Sequence, residues 1–487
     1  MKKFFKPFEA PVPPTFNDLT VDIRDFGAVE GGIEKVTDAI KKAIEYVNEN
    51  GGGRVVIPEG KWYTGPIHFK SNIDLHFAEG SYVEFSTDFE DYLPVVRSTI
   101  EGIRCYTFSH LLYADTCENI AVTGSGVLNG NGQNWWYMKF ACPGMVDLIK
   151  AGKEHRPLEQ RVYDKLEDGV RPRFVEFLNC KNVLVEGITF INSPSWTVLP
   201  LWCENIILRK ITIRNPEISP NTDGLNFECC KRGLIEYCDI SGGDDMICIK
   251  AGRDEDAWEV GIPSEDIEIR YCTTRWAKGS GITIGSEMSA GVKNAYIHDL
   301  DLGRVCCGIN IKSMRGRGGY VENIDYENIK IDKCPRSVVK ISMFYTGGDC
   351  VDSMNTELIN MPTLKNISVE NVTCNKATTG ITVEGYIDHE VENVYLKDIT
   401  ANAETPTVIK YVKNLNFENV SINLCDEEPY FKSFKGVDFN EVKDDIKIIY
   451  DYENKRIIED DRRKNIWSFL NRLKCRCHRC LMIWQST

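Results

Sequence analysis

The chain has 487 residues, 42% of them hydrophobic and 27% charged, with a formal net charge of −14. That balance is ordinary for a soluble globular protein, and the acidic total excludes nucleic acid as the main partner, because phosphate binding needs a broad basic surface. No run approaches the roughly 18 apolar residues of a membrane helix, so no membrane partner is expected.

The first stretch, "MKKFFKPFEAPVPPTF", has lysines but no apolar core of useful length, and prolines come at once after it. It reads as an arm over residues 1–16 and not as a secretory signal. The 19 cysteines are odd in number and scattered, which suits buried reduced thiols acting as small hydrophobes. Together these make a cytoplasmic location the expectation, with export by another route as the alternative. Next comes "TDAIKKAIEYVNENGGG", where Ile40, Ala43, Ile44 and Val47 fall on one helical face. Thr37 is the expected N-cap and Gly51 the stop, giving a helix that caps the open end of a strand-rich body.

From "RVVIPEGKWYTGPIHFKSNIDLHF" onward the pattern changes to period two. A phrase combining Asn with alternating apolar residues recurs: "CENIAVTGSGVLNG" from Cys117, "CKNVLVEGITFINS" from Cys180, "CENIILRKITIRNP" from Cys203, and further on "VENIDYENIKIDKC" from Val321 and "LKNISVENVTCNKA" from Leu364. Successive starts lie mostly about 21 to 33 residues apart, inside the range of solenoid repeats. One such unit cannot bury its apolar face alone, whereas stacked coils can. Asn at a fixed place suits a coil corner, since it tolerates left-handed backbone and can bond along a ladder of its equivalents. The expected fold is therefore all-β, a right-handed parallel β-helix of about ten coils with an N-terminal capping helix. It would occupy residues 17–427, with a helical insertion at about 136–172, and residues 428–487 would form a charged extension. In that tail Cys475, Cys477, His478 and Cys480 crowd within six residues, which suits an unstructured basic tail better than a tetrahedral metal site.

The stretch "NTDGLNFECCKRGLIEYCDISGGDD" places Asp223 in one coil and Asp244 with Asp245 in the next, and its spacing matches Asp223 to Asp244. One coil further lies "KGSGITIGSE", then "GINIKSMRGRGG", so acids, small residues and cations succeed one another along a stripe. A lone aspartate in such a turn is a corner residue bonded to backbone. Several aligned over two coils, with Lys250, Arg253, Lys312, Arg315 and Arg317 nearby, point to a reaction centre. Clustered carboxylates cannot all ionise cheaply; one protonated acid beside an ionised partner is the pairing that glycoside hydrolysis needs. The cations would bind a sugar acid by charge-assisted hydrogen bonds, or else form a solvated edge.

These residues resemble the polygalacturonases, glycoside hydrolase family 28, over roughly Phe16 to Cys425. The motifs are "NTDG" at 221–224, "GDD" at 243–245, "IGSE" at 284–287 and "IK" at 311–312, with "DFGA" at 25–28 upstream; "GRDEDAWEVGIPSEDI" and "KSMRGRGG" look like bacterial exo-acting members. The resemblance implies inverting hydrolysis of a pectic glycan with neither metal nor organic cofactor. Asp244 would be the general acid, Asp223 and Asp245 would activate water, Asn221 would hold the sugar, and Lys312 would bind a carboxylate. Lys250, Gly279, Ser280, Glu287, Asn310, Arg315 and Trp196 join them as substrate-binding candidates. Trp135 and Trp136 are candidates for the groove wall, and His298 reads as structural. Two departures stand out: Gly279 where histidine is expected in a "GHG" motif, and Asn310 where an arginine is expected. An interaction of this charged kind carries roughly 1.5–3 kcal/mol, so a rhamnogalacturonan, a substituted galacturonan or a pectic oligosaccharide becomes the expected substrate. A pectate-lyase-like eliminase and a non-catalytic pectin-binding β-helix are the rival readings.

Overall fold

The computed structural model describes residues 3–345, 360–386 and 389–424, and the backbone of 449–451 and 456–458. The alternating runs become strands, each lying parallel to its counterpart one coil away. One ladder starts at Thr20–Asp22 and climbs through Gly53–Ile57, Ile73–Phe77, Glu118–Gly124, Lys181–Glu186, Glu204–Arg209, Lys231–Glu236 and Ser264–Arg270. It continues through Val292–Arg304, Tyr320–Ser342, Thr363–Glu384 and Val391–Lys410 to Val412–Leu424. Among the described residues this ladder joins thirteen strands, more than the roughly ten repeats legible in the sequence. The surplus lies at the N-terminal end, where Gly52 takes the left-handed corner before one strand at φ 96° and Asn72 that before the next at φ 63°. The architecture is the parallel β-helix expected.

The corner asparagines do what their position requires. Asn119, Asn182 and Asn205 have φ of 53°, 55° and 59°, and each donates its amide to the asparagine one coil below at 2.9 Å. At the next rung Arg232 replaces the asparagine and donates Nε to Asn205 at 2.8 Å. Inside, the strands present alternate apolar residues, so that Val183, Ile206, Ile267, Ala295, Ile324 and Ile367 stack in one buried column. The described cysteines are all free and, apart from Cys142 and Cys306, buried. Four of them form a ladder of their own: the N–H groups of Cys117, Cys180 and Cys203 each meet the sulfur of the next, at 3.3–3.4 Å.

The capping helix runs Thr37–Glu49 and buries Ala39, Ile40, Ala43, Ile44 and Val47. Thr37 is its first residue and not its N-cap: its hydroxyl meets Thr64 Oγ1 at 3.1 Å and accepts from Gly65 N–H at 2.7 Å, tying the helix to the first coil. The arm lies along the outside of the ladder. Phe16 packs on Ala121, Leu184 and Ile207, Lys6 N–H donates to Asn294 Oδ1 at 2.7 Å, and Phe5 stacks on Tyr296 at 5.3 Å.

A second ladder, the groove sheet, passes through Leu112–Asp115, Val175–Leu178, Val198–Leu201, Leu225–Glu228, Ile247–Lys250, Ile282–Gly285 and Ile309–Lys312 into the Tyr320–Ser342 strand. Three excursions build a wall beside it. The insertion includes the Trp136–Phe140 turn and the Pro143–Lys153 helix. The hairpin Val96–Ile100 with Ile103–Thr107, unforeseen in the sequence, pairs with Val162–Tyr163. The third is the short helix Asp254–Val260. Asp256 clamps them together, accepting from Arg104 Nε at 3.0 Å and Arg161 at 2.6 Å while almost fully buried. Residues 428–448, 452–455 and 459–487, with the Cys475, Cys477, His478 and Cys480 set, lie outside the described residues.

Asn205→Val removes two ladder hydrogen bonds and forces a β-branched residue into left-handed backbone. It is expected to lower stability by about 2–3 kcal/mol, read as a fall in the urea midpoint at unchanged slope.

Candidate active site

Strand register decides which acids meet. Leu225 lies opposite Ile247, and Gly224 N–H donates to Asp245 O at 3.0 Å. Two residues before those strand starts, Asp223 therefore stands over Asp245. Sequence spacing matches Asp223 to Asp244; the structure moves the match by one residue, because the turn before the second strand is cut differently. Carboxylate oxygens of Asp223 and Asp245 come within 4.8 Å of each other and of the Cys248 sulfur. Asp244 sits at the rim, half-buried, while the other two are nearly inaccessible.

The three carboxyls have different surroundings. Burial pushes Asp223 up to about 8, the charge of Asp244 adds to it, and Lys250, 3.8 Å away, only partly offsets them. Asp244 is likewise raised by burial and then by the charge of Asp245. Burial acts on Asp245 as well, but the Lys312 ammonium at 2.9 Å and the Ser280 N–H at 2.6 Å outweigh it and hold the carboxyl below its ordinary range. At neutral pH, then, Asp245 carries charge while Asp223 keeps its proton, and Asp244 is shifted in the same direction as Asp223. Cys248, absent from the sequence-based candidates, places its thiol 3.5 Å from Asp223 and 3.7 Å from Asp245.

The remaining candidates divide. Asn221 is positioned by Arg171, whose guanidinium donates to Asn221 Oδ1 at 2.8 Å and to Pro220 O at 2.6 Å; Asn221 in turn reaches Asp244 at 3.5 Å. Arg171 escapes a sequence reading because it ends the insertion, outside any repeat. Lys250 is shared between Asp223 and Glu287, donating to Glu287 at 2.8 Å, and that pairing overcomes burial to keep Glu287 well below the carboxylate range. Trp196 is not an open stacking platform: it is 7% exposed, with Arg173 and Lys250 over its ring at 4.7 and 4.2 Å. Trp135 and Trp136 do not line the groove either, being buried in the insertion against Phe89 and Tyr92 and on Ser193 O. His298 bonds Asp299 and Glu268 on the outer ladder, as its structural reading required.

Gly279 cannot carry the side chain assigned to that place in the motif. A β-carbon there would lie 2.2 Å from the Asp245 nitrogen and 2.5 Å from the Asp244 carbonyl carbon. The residue of this coil that faces Asp245 is Ser280, and its hydroxyl accepts from Asn310 Nδ2 at 3.0 Å. The two departures from the motif are thus one hydrogen-bonded pair. Arg315 lies over the Tyr386 ring at 5.0 Å. Arg253 and Arg317 are committed to the wall, Arg317 pairing with Asp254 at 2.7 Å and Arg253 with Glu101 at 3.2 Å.

The groove has unlike ends. On the N-terminal side of the acids the stripe is covered: Arg173, Glu176, Ser98 and His110 form a buried cluster with Glu176 at its centre. Glu228 is buried beside it, and burial pushes its carboxyl up to about 7 despite Arg173 and Lys250. On the C-terminal side Lys312, Cys306 and Tyr345 are only half-buried. A metal ion would find two carboxylates and a thiol at the centre, a set suited to a soft divalent cation. The neighbouring Lys312 and Lys250 ammoniums already occupy that charge.

Asp223 gives stability that is fully present below its ordinary 3.8 and lost as pH rises through about 8. Asp223→Asn should therefore melt higher than the parent at pH 8–9, with a smaller difference at pH 5; an equal difference at both pH values would contradict the assignment.

Comparison with known proteins gives the family. Residues 103–425 match the family described as Glycosyl hydrolases family 28. A solved structure of a hyperthermoactive exopolygalacturonase from Thermotoga maritima is 36% identical, with a TM-score of 0.79, covering 85% of this chain and 94% of that one. "Probable polygalacturonase" of Vitis vinifera is 30% identical over 309 residues, 62% of this chain and 58% of that protein, so the chain spans less than two thirds of this relative. "Endo-polygalacturonase" of Pectobacterium parmentieri is 25% identical over 393 residues, 77% of this chain and 86% of that protein. With the β-helix and the three aspartates in place, the match settles the lineage: the chain belongs to glycosyl hydrolases family 28.

Proposed function

We propose that the protein hydrolyses a galacturonate-containing glycan with inversion, acting from a chain end. The observation that carries the reading is the division of labour among the aspartates. Asp245 is held ionised by Lys312, while burial and the charge of Asp245 strengthen the hold of Asp244 on its proton at the rim. Water held between Asp223 and Asp245 attacks the anomeric carbon. Its proton passes to Asp245 as the glycosidic bond breaks, and the leaving oxygen takes the proton of Asp244. The like-charge repulsion among the acids favours a proton on the acid beside an ionised base.

End-wise attack is inferred from the covered side of the groove, where, among the described residues, Trp196, Arg173 and Glu176 are buried under the wall. The Thermotoga maritima structure is that of an exopolygalacturonase, in keeping with this. Lys312 supplies the cation for a uronate carboxylate. The Ser280–Asn310 pair is smaller than the imidazole and guanidinium it replaces in the motif. That opens space beside Asp245 for a substituted or short pectic fragment.

Incubation with defined pectic oligosaccharides should release monomeric or terminal units, and the first product seen by NMR should have the inverted anomeric configuration. Retention, or an unsaturated ultraviolet-absorbing product, would overturn the reading. Asp244→Asn should lower kcat by about 10²–10⁴-fold. Lys312→Gln removes the charge that depresses Asp245, so the acid limb of the kcat/KM profile should move to higher pH.

A further inference from the structure

The groove sheet continues past the acids, and two cations stand on that continuation with no counterpart in the motifs. Lys340 lies opposite Asn310 on the next rung. Its neighbours Val339 and Ile341 are buried in the core, so by strand alternation its side chain projects from the same face as Asn310. Arg336 lies in the same strand, at the register break between Cys334 and Ser337, where its N–H donates to Cys306 O at 3.0 Å, and Cys306 N–H donates to Gly279 O at 2.7 Å. Gly279 in turn lies against the Asp244 backbone. The column therefore reads Asp244, Gly279, Cys306, Arg336, three rungs, or about 14 Å from acid to guanidinium. Arg336 is exposed and within electrostatic reach of Cys306, Cys307, Tyr345 and Asp245.

Among the described residues neither the Arg336 nor the Lys340 side chain has an ion pair or a hydrogen bond. Two carboxylates of neighbouring rungs have other partners: Asp332 accepts from Asn375 at 3.2 Å, and Glu384 takes Lys410 at 3.1 Å and Ser342 at 3.2 Å. Elsewhere cations of the coils are paired in the ordinary way, as with Lys397 and Glu370 at 2.9 Å. Two such cations, unpaired and uncovered among the described residues and set beyond the acids along the groove, form a directional field for an anionic polymer.

We propose that Arg336 and Lys340 form a second carboxylate-binding subsite, which grips a uronate unit one or more sugars along the chain from the scissile bond. This rests on the uronate-glycan reading and extends it. A pyranose unit is about as long as one rung. A chain whose terminal sugar sits under Asp244 thus brings a later carboxylate to Arg336, whose planar fork can bind it through two hydrogen bonds. Asn310, lacking charge, leaves the intermediate position neutral. The cation expected there by the motif is displaced along the groove instead of lost.

The test uses Arg336→Gln, Lys340→Gln and the double variant on digalacturonate and tetragalacturonate. On the tetramer the double variant should lose about tenfold or more in kcat/KM, almost all through KM, and the loss should shrink at high salt. On the dimer, too short to reach the pair, it should stay within about twofold of the parent. Equal losses on both lengths, or no loss on either, overturn the proposal. Calorimetric binding of tetragalacturonate in the Asp244→Asn background, with and without the double change, reads the subsite without turnover. A parent that binds the tetramer but does not cleave it refutes the hydrolase reading alone. A tetramer that binds equally well with and without the two cations, or not at all, refutes the subsite.

Discussion

Everything at the site depends on one consequence of parallel stacking: a residue at a given place in one coil lies about 4.8 Å from the residue at that place in the next. For asparagine and cysteine this repetition is favourable, and the chain uses it in the amide ladder of Asn119, Asn182 and Asn205 and in the sulfurs from Cys117 to Cys203. For aspartate it is unfavourable. Asp223 over Asp245 is a like-charge pair that the ladder register fixes and no side-chain rotation can separate by much.

The surrounding residues decide how that cost is distributed. Donors converge on Asp245 and not on Asp223. Lys312 arrives from two coils further along and the Ser280 amide from one, whereas Asp223 has a thiol at 3.5 Å and a lysine more closely tied to Glu287. The result is a proton on one member of the pair and charge on the other. Glu287 therefore matters indirectly. By drawing Lys250 away from Asp223 it helps keep that acid neutral beside the charged Asp245.

The repeat is legible in the sequence because the Asn corner and the period-two runs are local signals, and the capping helix announces itself by breaking into period 3.6. Register at the turns is less legible. Letters alone match Asp223 with Asp244 and put the missing imidazole at Gly279. Both errors are one residue in size, and both come from turns whose lengths differ between coils while the strands after them do not. Counting back from paired strands, Leu225 with Ile247 and Ile247 with Ile282, gives the correct column, Asp223, Asp245, Ser280. Trp135, Trp136 and Trp196 mislead for another reason. Side-chain type cannot report that an excursion from a distant coil will cover it. Arg171 is hidden because it lies at the end of such an excursion.

The excursions also give the groove its direction. A bare β-helix presents the same face along its whole length and would let a polymer pass through. Here Asp256 gathers Arg104 from the hairpin and Arg161 from the insertion onto one carboxylate, and Arg253, at the start of the same helix, reaches Glu101 at the hairpin tip. Chain segments more than 150 residues apart are thus locked over the N-terminal side of the stripe and bury Arg173, Glu176 and Trp196. Among the described residues the C-terminal side has no such cover over Arg336. Asymmetry of cover, set by a handful of ion pairs in the wall, turns a uniform solenoid face into a site with a closed end and an entrance, and the order of charges along the floor, acids first and then cations, runs the same way.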